Sequence, residues 1–374
     1  LNLIINKGKN MKNILKTIAV LVSTSLISVV ANAGELAVSG SANASYVING
    51  GQTNTGKGLG ISNELMFKAS GELDNGFTWD YHTELDMADG GAASNDDTAL
   101  VIGMGDLGKL GIYDAEGGLS TELAYGIGAM GTGADYANTM TTIGRGLDVS
   151  ADPHVAYYTP AGLLPFGVEA AIGFAPNTSD GQGNSYKNGG VARPVGLSGT
   201  DATQYKVTAA PIDGLKIGGD YYEVGGNTTT GIKQDKTGGN VYAQYAMGNF
   251  KFGLTQGYVE TGLVAKTTGV VADTATALNA PRYNSSGIGI EFAVNDQLSI
   301  SYNNEEFERV TAAPIVNGAS GTVKTTVTSE QDTIMAAYNI GGATVGISLI
   351  DTDDSDYTVG KEESKTVFSL GMEF

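Results

Sequence analysis

The sequence predicts an all-β protein, a closed antiparallel barrel of sixteen strands that crosses a membrane. Segments of alternating polar and apolar residues recur along the chain, and short turns alternate with long polar loops between them. After Val30 no segment approaches the roughly 18 consecutive apolar residues of a spanning helix. Because every backbone amide needs a hydrogen-bond partner in hydrocarbon, a chain that crosses a bilayer without such helices must form a closed barrel.

The final strand shows the alternation most clearly. From residue 364 to the end, polar or small side chains alternate with four large apolar ones, Phe368, Leu370, Met372 and Phe374. Successive side chains of a strand point to opposite faces, so this strand has one apolar face and one polar face. The same period of two recurs at residues 76–88, 164–175 and 249–260.

Sixteen segments of this kind are predicted as strands, and most have the about 9–11 residues that a tilted membrane strand needs. They are residues 35–48, 61–71, 76–88, 97–106, 108–114, 153–159, 164–175, 202–210, 213–225, 237–247, 249–260, 282–293, 296–309, 328–339, 342–353 and 363–374. Seven short turns rich in Gly, Asn and Asp join them at one end and eight long loops join them at the other. This asymmetry predicts short periplasmic turns, long extracellular loops and both termini on the turn side.

Residues 1–33 are predicted to be absent from the mature protein. From Met11, lysines precede an apolar stretch over residues 14–30, and Ala31–Asn32–Ala33 has the small-x-small pattern of a signal-peptide cleavage site. A membrane helix is the alternative for that stretch, but three Ser, two Thr and a Lys make it a poor span. Residues 1–10 are interpreted as an upstream extension, so the mature chain is expected to be a single barrel domain, residues 34–374.

Several chemistries find little support in the sequence. The chain has no Cys, so it offers neither a disulfide framework nor a thiolate metal site. Its two histidines, His82 and His154, are far apart in the sequence, which argues against a zinc site. Residues 103–108 match G-x-G-x-x-G, but a strand rather than a helix follows, so no helix N-terminus is available for a phosphate. We expect no nucleic-acid partner.

Strand parity assigns charged residues to the barrel interior. The predicted pore-lining residues are Glu64, Lys68, Asp80, His82, Glu84, Asp86, Glu169, Lys216, Asp220, Lys251 and Glu291. The three lysines are expected near the short-turn mouth, which leaves mid-height to the carboxylates of Asp80, Glu84, Glu169 and Asp220. Carboxylates lining a low-dielectric channel concentrate cations and repel anions. The alternative is that these acids only solvate the wall.

Net charge points in the same direction. Four of the 21 basic residues belong to the predicted leader, which leaves 17 against 40 acidic residues, a net charge of −23 for residues 34–374. A lumen lined by such a chain is expected to prefer cations.

Two stretches resemble the general porins of Gram-negative outer membranes. Residues 152–160, Asp–Pro–His–Val–Ala–Tyr–Tyr–Thr–Pro, and the Phe–Gly–Val–Glu–Ala of residues 166–170 are similar to the family's segment that leads out of the constricting loop. Residues 103–113 are similar to the turn before that loop, and Glu116–Gly117–Gly118 resembles the loop motif itself. The resemblance implies a water-filled channel for passive diffusion of small hydrophilic solutes, assembled as a homotrimer among outer-membrane lipids.

The resemblance also implies that the third loop, residues 115–152, folds into the lumen and constricts it. The candidate constriction residues are Asp114, Glu116, Glu122, Asp135, Arg145 and Asp148. Family channels place an arginine cluster on the wall opposite this loop. Here the only arginines are Arg145, Arg193, Arg282 and Arg309, all in loops or at strand rims, and this departure adds to the expectation of cation preference.

Assembly is expected to use the outer faces of the first five strands and the last. The outward positions of the first strand include the small residues Gly40, Ala42 and Ala44, which suit close protein contact.

A weak calcium motif lies near the end of the chain. Asp351, Asp353 and Glu362 belong to a stretch with the ligand spacing of a calcium loop, but Asp356 stands where that loop needs Gly. A solvated acidic loop is the preferred interpretation, a structural calcium ion is the alternative, and no other cofactor is expected.

A substrate-specific channel and a barrel enzyme are the competing functions, and an adhesin or plugged receptor lacks a plug-sized domain. Outer-membrane protease or lipase chemistry needs a placed nucleophile or a pair that activates water, usually with His. The sole constellation available is His82 between Asp80 and Glu84, and it is more simply explained as part of a pore wall. The sequence therefore predicts a channel and not an enzyme.

Overall fold

The computed structural model describes residues 36–52, 55–86, 94–130, 147–176, 178, 201–225, 232–261, 263–265, 271–273, 282–312 and 323–374. The predicted leader and residues 131–146 of the third loop lie outside these described residues. No helix in the described ranges is long and apolar enough to cross a bilayer.

Sixteen of the described strands form one closed antiparallel barrel, which confirms the predicted fold class. The barrel strands are β1 (Leu36–Gly51), β2 (Gly56–Glu72), β3 (Thr78–Asp86), β4 (Ser94–Gly103), β5 (Lys109–Asp114), β6 (His154–Tyr158), β7 (Glu169–Ala175), β8 (Asp201–Ile212), β9 (Leu215–Gly225), β11 (Thr237–Met247), β12 (Phe250–Glu260), β15 (Arg282–Ala293), β16 (Leu298–Ala312), β17 (Val323–Asn339), β18 (Ala343–Asp353) and β19 (Glu363–Glu373). Three short strands, β10 (Ile232–Gln234), β13 (Leu263–Ala265) and β14 (Val271–Asp273), form a separate sheet between long loops.

Each barrel strand pairs with its neighbour along the chain, and β1 closes the barrel on β19. Closure extends to the last residue, because Gly40 and Phe374 exchange two backbone hydrogen bonds of 2.8 and 2.9 Å. β16 and β17 are longer than predicted, with 15 and 17 residues. Their pairing continues past the apolar segment through polar partners such as Asn304 and Asp332, since strand pairing does not require apolar side chains.

The two faces of the barrel have opposite character. On β19, Phe368, Leu370 and Met372 are each at least 40% exposed, whereas Val367 and Ser369 are at most 9% exposed. Large apolar side chains therefore face outward and are left uncovered by the chain, the reverse of a soluble protein. Exposed apolar residues follow the same parity on the other long strands, among them Ile61, Val207, Val241, Leu254, Ile288, Ile300, Ile334 and Leu349. Such a surface matches the hydrocarbon of a bilayer.

Glycines let the short turns close tightly. Gly108, which follows a 3-10 turn at Gly105–Leu107, has φ 88° and ψ −150°, a conformation open essentially to Gly. A Cβ at this position would lie 2.2 Å from the backbone oxygen of Tyr158, across the β5–β6 pair. Gly76, in the turn between β2 and β3, also has positive φ, at 80°, but a Cβ there would meet nothing within 4 Å.

We therefore predict different effects for two alanine substitutions. Gly76→Ala should cost about 1–2 kcal/mol, because it adds only left-handed backbone strain. Gly108→Ala should cost more, by about 1–3 kcal/mol, because the new methyl group also displaces the backbone of Tyr158. Urea unfolding of the refolded barrel in lipid vesicles measures both, and equal losses would show that the close approach at Gly108 has no energetic weight.

Candidate pore constriction

The third loop turns into the barrel and runs along its inner wall. Its first described part, residues 115–130, is bound by inward-facing side chains of successive strands. Gln244 of β11 donates to Tyr125 O (3.0 Å), Thr255 of β12 donates to Glu122 O (3.1 Å), and Asn303 of β16 donates to Ile127 O (2.8 Å). At the far end, Ala129 N donates to Ser301 Oγ at 2.8 Å. We call residues 115–152 the constriction loop.

The constriction loop lies near mid-height of the barrel. Thr255 is the sixth of the eleven residues of β12, and Asp220, which also binds the loop, is the sixth of the eleven residues of β9. A loop that occupies the lumen at this level narrows the pore at mid-height. A barrel of this size has room for both the loop and a water-filled passage.

Apolar side chains fix the loop against the wall. Leu119, Tyr125, Ile127 and Val149 are at most 1% exposed. The wall leaves space for them through its glycines: a Cβ at Gly253 would lie 2.6 Å from Cγ1 of Ile127. Leu119 and Val149 belong to a buried cluster with Ala175, Ala202 and Tyr222 of the wall, so the described loop is part of the folded barrel.

Asp220 binds the first described part of the loop, residues 115–130, which we call the outgoing limb. Its Oδ1 accepts hydrogen bonds from the backbone N–H and the hydroxyl of Thr121, both at 2.7 Å, and from Asn240 Nδ2 at 3.0 Å. Its Oδ2 accepts from Gln204 Nε2 at 3.1 Å. Hydrogen bonds to a carboxylate are stronger than neutral ones, so Asp220 is a firm attachment point.

Gln204 also binds the second described part of the loop, residues 147–152, which we call the returning limb. Its Oε1 accepts from Val149 N at 2.8 Å, and its Nε2 also donates to Leu147 O at 3.2 Å. Asp148 joins the limbs to each other, because its carboxylate accepts from Leu119 N at 3.0 Å and from Ser120 N at 2.7 Å. Gln204 on β8 and Asp220 on the neighbouring strand β9 therefore hold both limbs of the loop at one place.

Two further carboxylates hold the inner part of the loop. Glu305 of β16 is 4% exposed and accepts from the Tyr125 hydroxyl at 2.7 Å. Glu291 of β15 accepts from Gly128 N at 3.3 Å and forms a 2.8 Å ion pair with Lys251 of β12. The carboxylate of Glu291 thus balances the positive charge of Lys251 beneath the loop.

The wall formed by β1 to β3 carries inward charged side chains that the described part of the loop does not bury, since Glu64, Lys68 and Asp80 are exposed. We give the name open wall to six inward-facing charged residues of this wall, Glu64, Lys68, Asp80, His82, Glu84 and Asp86. Carboxylate oxygens of Glu64, Glu84 and Asp86 lie within 4.8 Å of one another. His82 contacts the carboxylate of Glu116 through its Nε2, which ties the start of the constriction loop to β3.

The structure separates the predicted pore-lining residues into two groups. Asp220, Lys251 and Glu291 face inward but lie under the constriction loop and bind it or each other. Glu169 and Lys216 occupy inward positions of β7 and β9, opposite Thr208 and Gln244, and both are exposed. Asp220 faces inward at mid-height as predicted, but its described hydrogen-bond partners all belong to the loop or its anchors, which corrects the expectation that it lines the passage.

The predicted constriction residues are likewise divided. Glu116 and Asp148 act as described above, and Glu122 binds the wall through its backbone oxygen. Asp114 belongs to β5, where it continues the outward set of Leu110 and Ile112, so its assignment to the constriction is wrong. Asp135 and Arg145 lie outside the described residues.

Sequence reasoning missed several anchors, namely Thr121, Tyr125, Gln204, Asn303 and Glu305. On β16 a signal was present, because Ser301, Asn303 and Glu305 alternate with outward Ile300 and Tyr302. Parity could therefore have placed Glu305 inside the barrel. It could not have revealed that the loop covers it.

The residues of the calcium motif are not gathered into one site. Asp351 and Asp353 are exposed on the outward face of β18, and they do not join Glu362 in any described group of close carboxylates. In the turn between them and β19, Lys361 Nζ lies 2.6 Å from Asp356 Oδ2. This hydrogen bond raises the pKa of Lys361 above its ordinary value.

Comparisons with known proteins agree with the barrel. A family profile described as Gram-negative porin matches residues 17–374. None of the curated proteins compared matches the sequence. Among solved structures, Salmonella typhi OmpF in complex with daunomycin is 13% identical with TM-score 0.61, covering 91% of this chain and 98% of that one.

Two other similar structures come from different organisms. The trimer form of OmpT, an outer membrane protein of Vibrio cholerae, is 12% identical with TM-score 0.59, covering 92% of this chain and 100% of that one. An anion-selective porin from Comamonas acidovorans is 13% identical with TM-score 0.59, covering 91% and 100%. At these identities the structures share the fold alone.

We predict that Asp220→Ala releases the outgoing limb of the constriction loop. Each hydrogen bond to a charged group contributes about 1.5–3 kcal/mol, so losing several should lower the free energy of loop docking by about 3 kcal/mol. Hydrogen exchange at the Thr121 amide should then accelerate about a hundredfold. Glu169→Ala, which removes an exposed carboxylate from β7, two strands away, is the matched control. Equal exchange in both variants would contradict the anchoring role of Asp220.

Proposed function

We propose, from the premise that the chain belongs to the Gram-negative porin family and forms an outer-membrane channel, that small hydrophilic solutes diffuse passively through it and that cations pass in preference to anions. The observation that carries the cation preference is the charge of the open wall. Diffusion through a water-filled lumen needs no cofactor.

The open wall is strongly acidic. Carboxylates of Glu64, Asp80, Glu84 and Asp86 face the passage, with Glu116 added from the loop, whereas Lys68 and His82 are the basic groups among them. A low-dielectric wall focuses this field into the aqueous passage, which raises the local concentration of cations. Lys251, which lies beneath the constriction loop, adds little to the field, because its ion pair with Glu291 neutralises its charge.

The described arginines do not oppose this field. Arg282 lies at the outer rim of β15, where its guanidinium stands 5.5 Å from the ring centre of Tyr258. Arg309 faces inward near the loop end of β16, where its guanidinium stands 4.8 Å from the ring centre of Tyr357. Neither lies beside the acidic open wall, so both leave its negative potential in place.

The fold itself does not determine ion preference. The similar structures include an anion-selective porin with the same architecture and 13% identity. Selectivity must therefore come from the side chains that line the passage. In this chain that argument depends on the open wall, because the acidic residues under the constriction loop are engaged in binding it.

We further propose a homotrimer. The trimer form of the Vibrio cholerae OmpT structure shares this fold. On the outer face of β3 and β4, Thr83 and Asn95 hydrogen-bond Thr98 at 3.0 and 3.1 Å, polar groups that hydrocarbon disfavours and a protein partner would cover. Of the small outward residues, Gly40 accommodates the Phe374 ring of its own chain, which leaves Ala42 and Ala44 for close contact.

An enzyme is less well supported than a channel. The His82 constellation that could have served catalysis is engaged with Glu116 of the constriction loop. A swelling assay with small sugars in liposomes distinguishes the two, because an enzyme without an open passage would not admit them. It also separates a general channel from a substrate-specific one, since a specific channel would admit only some sugars of equal size.

We predict that in a salt gradient across a planar bilayer the reversal potential shows cations crossing faster than anions. Replacing Asp80 with Asn and Glu84 with Gln should reduce this preference without closing the pore. The preference should also decline in concentrated salt, since the Debye length falls to about 3 Å at 1 M.

The matched control for this charge change is Asp351→Asn with Asp353→Asn. It removes the same number of charges from the outward face of β18 and should leave the reversal potential unchanged. Anion preference in the wild-type channel, or equal shifts in both double variants, would contradict the assignment of the open wall.

We predict a trimer mass for the purified protein in mild detergent, measured by light scattering with the detergent contribution subtracted. Ala42→Lys with Ala44→Lys should yield monomers, because two charges would be buried at the contact. The same pair of changes at Val207 and Val241, outward residues on the far side of the barrel, should leave the trimer intact. A wild-type complex with the mass of one chain would exclude this assembly.

A further inference from the structure

The loop between β18 and β19 also turns into the barrel. Tyr357, in a 3-10 turn at Ser355–Tyr357, is 3% exposed. It packs in a buried cluster with Val259, Tyr283 and Phe307, and its ring centre lies 5.7 Å from that of Tyr283. These partners are inward-facing residues of β12, β15 and β16. The loop, residues 354–362, therefore passes inside β17 and β16, and we call it the mouth loop.

Arg309 holds Tyr357 from a second side. Its guanidinium lies 4.8 Å from the ring centre, within the range of a cation–π contact. Its Nη2 also donates to the Tyr357 backbone oxygen at 3.2 Å. One wall residue thus binds both the side chain and the backbone of the turn.

The backbone of the mouth loop is strained where Tyr357 enters the cluster. Asp354, Asp356 and Tyr357 have φ values of 49°, 53° and 56°, the left-handed region that non-glycine residues avoid. Such conformations persist only where surrounding contacts impose them. The contacts here are the Tyr357 cluster, Arg309 and the Lys361–Asp356 ion pair.

The mouth loop also meets the constriction loop. Leu147, on the returning limb of the constriction loop, packs against the same cluster as Tyr357. That limb is bound from the wall by Gln204 through Leu147 O. Leu147 is therefore held between an anchor on β8 and the cluster that contains Tyr357.

From this geometry we propose that Tyr357 is a positioning residue for the pore, a clasp that holds the mouth loop inside the barrel and against the returning limb of the constriction loop. When Tyr357 is packed in its cluster, the mouth loop narrows the extracellular mouth and restrains the constriction loop below it. The proposal rests on the channel function proposed above, because its consequence is a change in permeation.

The test is Tyr357→Ala. Removing a buried aromatic side chain should shift the equilibrium between docked and released mouth loop about a hundredfold toward release. Single-channel conductance should then rise, larger sugars should permeate faster in the swelling assay, and spontaneous current fluctuations should become more frequent. A residue that only stabilised the barrel would lower its thermal unfolding temperature and leave these permeation readouts unchanged.

Three variants serve as controls. Tyr357→Phe keeps the ring, the packing and the cation–π contact, so its permeation should stay much closer to wild type than that of Tyr357→Ala. Val359→Ala alters the same loop at a residue that is 77% exposed and should also behave as wild type. Arg309→Gln removes the second attachment and should resemble Tyr357→Ala in a weaker form.

A second measurement does not depend on conduction. The chain has no native Cys, so Val359→Cys gives a single site for a nitroxide spin label on the mouth loop. The label should be restricted in the otherwise wild-type barrel and mobile when Tyr357→Ala is added. Unchanged label mobility, or unchanged conductance with a mobile label, would overturn the proposal. A wild-type protein that conducts nothing would contradict the channel function instead, and label mobility would still show whether Tyr357 holds the loop.

Discussion

Backbone hydrogen bonding in hydrocarbon is the constraint on which the rest of this structure depends. An unpaired N–H or C=O group in lipid costs several kcal/mol, so the sheet must close, and β1 pairs with β19 up to the final residue. Closure creates an interior as well as an exterior. Because successive side chains of a strand point to opposite faces, the alternating sequence places apolar side chains outside and polar ones inside.

The same constraint governs the constriction loop. A loop pressed against a wall loses water from its backbone groups, and each buried group needs a new partner. The inner wall provides these partners through side chains, among them Gln204, Asp220, Gln244, Thr255 and Asn303. The polar inner face of the barrel therefore has two roles. Part of it faces the passage, and part replaces the water that the loop has lost.

Alternation and turn chemistry were enough to predict the strand number and the closed barrel. They could not predict which inward charges remain open to the pore. Asp220 and Glu84 have the same parity and the same chemistry, yet Asp220 is bound by Thr121, ninety-nine residues earlier in the chain, whereas Glu84 lies close to the carboxylates of Glu64 and Asp86. Parity is a local property of a strand, whereas the path of a long loop depends on contacts between distant residues. Tyr357 escaped sequence analysis for the same reason.

The path of the constriction loop therefore determines the electrostatics of the passage. By covering β8 to β16, the described loop withdraws Asp220, Glu291 and Glu305 into hydrogen bonds and pairs Glu291 with Lys251. Under the function proposed above, the field in the passage comes mainly from the wall on β2 and β3. A loop with another path would expose another set of charges from the same strands. This explains how barrels of one architecture can differ in ion preference, since the loop selects which of the alternating wall residues the solute meets.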